Sequence, residues 1–426
     1  MSRFGALAER PFRLLFIGRT ASLLGSAFAP VALAFAVLDN LDGSATELGI
    51  VLAAIWIPQV FFILVGGVWA DRVPRNLVMV TTDLVMFAAQ GTVAALLISG
   101  HAQLWQLIVL QVVRGTANAF FFPASTGLVP SVVSPGRLQE ANALLRLANS
   151  TTSIVGAGLA GLVVAGIGAG WALAFDAATF LVSAAFVVQV RVPAVARHAA
   201  SSFVHELREG WGEFASRTWL WAIVVQFMFI NAFTNGTYLV LGPVVSNEHL
   251  GGASAWGLIL AGFGAGSVIG GIIALRWRPQ RLLLAASLAV LLGAPICFLL
   301  AIPSALVVLI AASALGGIGV ELFSVMWDTA LQQHIPHDRL SRVSSYDALG
   351  SFVCIPIGLS VAGPLSDLLG VTETLVFAGA VSVVATLLVL TVRDVRTLRR
   401  TDGTPPLGRP AGDEPAPAEE AIAHQH

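Results

Sequence analysis

Twelve apolar runs, each long enough to cross a lipid bilayer, dominate the chain: 14–38, 47–70, 76–99, 103–123, 141–167, 170–190, 219–245, 254–275, 281–301, 305–327, 344–367 and 372–392. A hydrocarbon core about 30 Å thick needs about 20 helical residues. Inside it every backbone polar group must be hydrogen-bonded within its own segment, which leaves the helix as the structure for runs of this length. Charged residues are 11% of the 426 and hydrophobic residues 56%, against about 25% charged in soluble domains. So few charges cannot cover a water-soluble surface, so most of the chain must face membrane lipid. The first run is too long for a cleavable signal, and no small-residue cleavage site precedes a polar domain. The formal net charge is −1, so no global field recruits nucleic acid. Cys297 and Cys354 both lie in apolar runs, which argues against a disulfide framework and a metal cluster.

Arginine placement fixes the direction of the spans. With both termini inside, the outer loops 39–46, 100–102, 168–169, 246–253, 302–304 and 368–371 contain no arginine, although they hold Asp39, Asp42 and Glu248. The inner segments hold Arg3, Arg10, Arg13, Arg72, Arg75, Arg137, Arg191, Arg197, Arg208, Arg217, Arg276, Arg278, Arg339, Arg342 and the run from Arg393 to Arg409. A miscounted span would scatter arginines to both sides, so the positive-inside rule predicts twelve spans with both termini cytoplasmic in the cell (plasma or inner) membrane.

The spans divide six and six around the polar stretch 191–218, where Phe203, Leu207, Trp211 and Phe214 alternate with Glu206, Arg208, Glu209 and Glu213. This is the pattern of an amphipathic helix on the membrane surface, with a plain solvated linker as the rival. At a constant offset of 202, Arg137-Leu138 matches Arg339-Leu340, Gly156 matches Gly358, Ala160-Gly161 matches Ala362-Gly363, and Phe175 matches Phe377. The matched elements are spans 5–6 and 11–12, equivalent places in a six-plus-six duplication, and two parallel six-helix halves with a midplane site between them define one transporter architecture. The expected division is a bundle over 1–190, a cytoplasmic linker over 191–218, a second bundle over 219–395, and a disordered tail over 396–426 that is rich in proline, alanine and acids.

Between the second and third spans runs Gly67-Val68-Trp69-Ala70-Asp71-Arg72-Val73-Pro74-Arg75. This G-x-x-x-D-R-x-x-R loop resembles motif A of the major facilitator superfamily, matching at Gly67, Asp71, Arg72 and Arg75 and departing at Trp69, Pro74 and Asn76. Glycine lets helices approach closely, a carboxylate suits a helix N-terminus, and arginines pair bidentately with acids; together they would latch the halves on the cytoplasmic side. The corresponding loop of the second half has Leu275 in place of the aspartate. The segments Pro11-Phe12-Arg13, Trp327 to Pro336 and Leu340 to Asp347 are similar to the actinobacterial branch of efflux-type facilitators. The resemblance, over about residues 10–395, implies the twelve-helix facilitator fold with a central cavity.

Arg114 lies at mid-depth in the fourth span, on one face with Gln111 and Asn118. A guanidinium there needs a cavity or a partner, and it resembles the motif B arginine associated with proton coupling, although Ala117 and Asn118 replace that motif's Gln and Gly. The seventh span carries Asn231, Thr234, Asn235 and Tyr238 on one face, suited either to interhelical hydrogen bonds or to substrate; Gln59 in the second span is read the same way. Glu321, Ser324 and Asp328 form a stripe on the tenth span, and Asp83 lies in the third. A carboxyl in a dry cavity can carry protons, whereas a paired one is locked; Glu321 ranks first for titration and Asp83 next. The first span holds Arg19 where many drug–proton antiporters hold an acid. His334 and His337 read as a solvated loop, and the glycine runs 262–266 and 316–319 as close helix packing. No Walker loop exists to bind ATP.

These features predict a monomeric, cofactor-free secondary transporter that exports a small amphipathic molecule on the proton gradient. Export of one endogenous metabolite or a siderophore is the runner-up, and a non-transporting scaffold or sensor is the reading from another class.

Overall fold

The computed structural model describes residues 5–70, 74–190, 211–302 and 304–400. Twelve helices in it are long and apolar enough to span a bilayer: α1 Arg10–Asn40, α2 Ala45–Ala70, α3 Arg75–Ile98, α4 Leu104–Val132, α5 Leu138–Ile167, α6 Ala169–Val187, α7 Thr218–His249, α8 Ala253–Arg276, α9 Leu282–Leu300, α10 Leu306–His334, α11 Tyr346–Leu369 and α12 Val371–Val389. Among the described residues no β-strand forms. Phe203 and Leu207 of the expected amphipathic helix, and the tail from 401, lie outside the described residues.

Several helices outrun their apolar windows. α4 continues to Val132 through Pro123 and Pro130, and α10 continues to His334. Once nucleated, a helix gains a hydrogen bond for each added residue, so it need not stop where lipid stops. His334 is therefore the last turn of α10 rather than a loop residue. Its Nδ1 lies 3.1 Å from the Ala330 carbonyl and its ring 6.3 Å from that of Trp219.

Glycine decides which helices touch. A Cβ at Gly262 would lie 2.9 Å from the Ile310 carbonyl, and one at Gly270 2.8 Å from that of Ile318, so α8 and α10 pack backbone to backbone as the glycine runs predicted. The repeat-matched glycines make corresponding contacts. Gly156 of α5 faces α1 at Ala27, and Gly358 of α11 faces α7 at Ala232; Gly161 of α5 faces α8, and Gly363 of α11 faces α2 at Thr46. The halves thus meet along two seams, α5 on α8 and α2 on α11.

Because successive spans reverse direction, the starts of odd-numbered helices share one face of the bundle with both termini, here the terminal face; the other is distal. Around the distal half one continuous apolar core includes Phe35, Leu48, Leu173, Leu241, Trp256 and Leu359, from both halves. Towards the terminal face the core divides. One cluster holds Phe12, Met79, Leu128 and Leu145; a separate one holds Trp219, Leu283, Trp327 and Val343. Two polar contacts pin the distal side: Thr46 Oγ1 donates to Asp367 at 2.9 Å, and Asn247 Nδ2 to Asp39 at 2.9 Å. The bundle is joined at its distal end and parted at its terminal end.

Candidate functional site

The motif between α2 and α3 is described in part. Gly67 lies within α2, while Asp71 and Arg72 lie outside the described residues. Arg75 opens α3, and its Nη1 donates to the Gly127 carbonyl of α4. A side chain at Gly127 would collide with the guanidinium, so that glycine makes the seat.

Arg114 has its partner inside its own half. Its Nη2 lies 3.5 Å from Asp176 Oδ2 on α6, the two side chains being 11% and 0% exposed. Gln90 of α3 donates to the same oxygen at 3.0 Å, and Gln111 of α4 donates to Gln90 at 3.3 Å. The Arg114 guanidinium also lies 6.0 Å from the centre of the Phe180 ring. A side chain at Gly25 of α1 would run into Thr179 and Asp176, so α1 closes over the network with bare backbone. Such a pair is held because water cannot replace either partner. Asp83 forms a separate buried contact, accepting from Ser183 Oγ at 2.7 Å.

The second polar region is a cavity of about 520 Å3 within α7 to α12. A π-helical stretch, Ile230–Asn235, breaks the regular turn of α7 here. One extra residue per turn carries the polar face across the cavity wall, as such bulges often do at functional sites. Asn231 donates to the Ser351 carbonyl at 2.8 Å and Asn235 to Asn231 Oδ1 at 2.6 Å, while the Tyr238 and Ser313 hydroxyls are 3.4 Å apart. Phe227, Phe263, Phe323, Trp327 and Phe352 supply the aromatic wall, and Ser324, Asp328 and Asp347 stand towards its terminal end. Asp347 accepts from Trp327 Nε1 at 2.9 Å and from Ser351 Oγ at 3.3 Å.

The predicted candidates therefore separate. Asn231, Asn235, Tyr238 and Asp328 line one cavity. Gln111, expected beside substrate, is fully buried and bonded to Gln90, and Asp83 is fully buried against α6; neither lines it, because α3 packs on both α4 and α6 and closes these side chains inside the first bundle. Gln59 and Asn118 are half-buried and also outside its wall. Glu321 does not share the lining of Ser324 and Asp328; it sits against Gly270 and Gly271 of α8. Sequence reasoning passed over Asp347 and Arg146 as site residues. Arg146 is exposed near the terminal end of α5, within electrostatic reach of Glu321 and Asp328 across the gap between the halves. Its signal was a lone arginine inside an apolar run, about 12 Å from the helix end, with Asp328 about 9 Å from its own.

The linker's end packs against the start of α11. Trp211 and Phe214 stack on each other, and Tyr346 meets Trp211 edge-on and Phe214 at a tilt. Glu213 accepts from Arg217 and, at 2.7 Å, from Arg339. These hydrogen bonds hold its carboxyl below the usual range. At the N-terminus, hydrogen bonds from Ser134 and the charge of Arg137 do the same for Glu9.

The chain matches the family model described as Major Facilitator Superfamily over residues 15–346 and 229–423. It is 22% identical to macrolide efflux protein A of Streptococcus pyogenes over 91% of this chain and 97% of that protein. It is 23% identical to the multidrug efflux pump Tap of Mycolicibacterium fortuitum over 85% and 90%. The solved structure of the nucleoside transporter NupG superposes with a TM-score of 0.71 at 14% identity, covering 89% of this chain and 98% of that one. A bacterial homolog of the human lysosomal transporter Spinster, inward-facing and unoccupied, gives 0.68 at 15%, covering 92% and 98%. With twelve helices in two glycine-matched halves, an arginine-bearing loop after α2 and a family match across nearly its whole length, the chain belongs to the Major Facilitator Superfamily, a family of transporters rather than enzymes.

Proposed function

We propose that this transporter exports a small amphipathic, drug- or antibiotic-like molecule in exchange for protons, by alternating access. The carrying observation is the cavity of about 520 Å3 in a bundle joined at its distal end and parted at its terminal end. Its aromatic wall suits an apolar body, and its asparagines, tyrosine and carboxylates suit polar groups at fixed places. Arginine confined to the terminal-side segments supports a cytoplasmic terminal face in the cell membrane. The cavity then faces the compartment from which an exporter loads, and two relatives are exporters by name.

In this reading the bundles 1–190 and 219–395 rock as bodies joined by the linker, with the tail as a polar appendage. Gly67, Asp71, Arg72 and Arg75 form the cytoplasmic latch. The protein works as a monomer and needs no cofactor, the proton gradient supplying the energy. Arg114 with Asp176, and the carboxylates Asp83, Glu321 and Asp328, are the groups through which proton and substrate would be linked.

The test is uptake of a fluorescent macrolide into inverted vesicles or proteoliposomes with an imposed pH gradient, normalised to folded protein. Uptake that collapses when a protonophore removes the gradient supports proton-driven export. Uptake indifferent to the gradient refutes the coupling, and no uptake of any amphipathic probe refutes the export reading.

A further inference from the structure

The charge in the cavity is one-sided. Asp328 and Asp347 are the charged residues among those that line it, and both are acids. Asp347 is held by Trp327 and Ser351. Asp328 is exposed and makes no hydrogen bond or ion pair among the described residues. The two carboxylates are close enough for Asp328 to act on Asp347 electrostatically, and Asp328 also acts on Glu321 of the same helix. Against these three acids, among the described residues, stands the guanidinium of Arg146, on the opposite half at a similar depth and not itself part of the cavity wall. Arg114 is paired with Asp176 elsewhere. Carboxylates gathered beside Phe323 and Trp327, whose ring faces also attract cations, with too little positive charge nearby to balance them, make a site for a cation.

We propose that the cavity selects substrates carrying a positive charge, that Asp328 is the counter-charge they meet, and that Arg146 is a tethered cation which competes with them for it. This rests on the export reading and gives its substrate a charge. An entering cation takes over the interaction that draws α5 towards α10, so loading the cavity and loosening the two halves at the terminal face are one event. Arg146 thereby sets a threshold: a ligand without positive charge does not take over its longer-range attraction to Asp328.

The experiment uses the full chain purified in detergent and two ions of nearly equal size and shape but opposite charge, tetraphenylphosphonium and tetraphenylborate. Equilibrium binding of each is measured to wild type and to Asp328→Asn, Arg146→Ala and Arg146→Lys, with monodispersity and thermal unfolding checked for every variant. Wild type binds the cation in preference to the anion. Asp328→Asn weakens cation binding about tenfold or more, Arg146→Ala tightens it, and Arg146→Lys stays near wild type. Equal or tighter binding of the anion, unchanged cation affinity in folded Asp328→Asn, or weaker cation binding in Arg146→Ala overturns the assignment. So does binding of neither ion. If Asp328→Asn fails to fold, the arginine variants decide alone, since Arg146 is exposed and packs no core. Cation binding without transport in proteoliposomes would refute export and leave the charge assignment intact.

Discussion

Removing Arg114 separates a coupling residue from a structural one, and the geometry sets the size of the effect. At 3.5 Å from Asp176, with side chains 11% and 0% exposed, the pair attracts by about 5 kcal/mol at an effective dielectric constant near 20. Arg114→Ala leaves Asp176 with the Gln90 amide as its hydrogen-bond donor, and losing one member of a buried pair costs about 3–5 kcal/mol. Arg114→Met together with Asp176→Leu removes both charges and keeps volume, so most of the loss is recovered. The assay is reversible unfolding of the purified protein in mixed micelles, run on wild type, Arg114→Met, Asp176→Leu and the double as a cycle. A coupling energy of about 3 kcal/mol is expected; one below about 0.5 kcal/mol would refute a stabilising buried pair. Transport by the double variant, per folded molecule, then reads function. If Arg114 links proton to substrate, the stable double variant is inactive on the pH gradient; full activity assigns the pair to structure alone.

Three further outcomes follow from individual contacts. Gly257→Val puts a side chain where a Cβ would already lie 2.6 Å from the Ala157 carbonyl and 2.9 Å from Gly161, so the α5–α8 seam opens distally; in a cysteine-free background, Ala253→Cys, at a position buried beside Gly161 in the wild type, should become reactive to an impermeant maleimide. Asp71→Asn should lower transport about fivefold or more with normal membrane insertion, and wild-type rates in reconstituted protein would remove the aspartate from the latch. Because Glu213 is held below its ordinary value, its clamp on Arg339 is complete above the unfolded carboxylate value of about 4.3. It is lost as pH falls through the lower folded value. Tryptic cleavage after Arg217, divided by the rate on an unstructured arginine peptide at the same pH, should therefore be constant from neutral to mildly acidic pH and faster at every pH in Glu213→Ala.

Span number, the pseudo-repeat and the glycine contacts were legible in the residues because lipid imposes them locally. A helix in hydrocarbon must satisfy its own backbone, so each crossing leaves its own apolar run, and close packing leaves glycines at spacings such as Gly262, Gly266 and Gly270. What one span does to another is a different matter. Spacing put Gln111, Arg114 and Asn118 on one face of α4, yet that face meets Gln90 and Asp176 rather than open space at Gln111. In a membrane the lipid-facing sides are as apolar as the packed ones, so periodicity names the residues that travel together but not the helix they turn towards. The π-helical step at Ile230–Asn235 shifts that register again, bringing Asn231 against Ser351. Asp347 came to line the cavity, and Arg146 to lie within electrostatic reach of Asp328, only through helix tilt, crossing and the parting of the halves, which set depth and bearing between segments far apart in the chain. Those quantities are global outcomes of packing, and no single apolar run contains them.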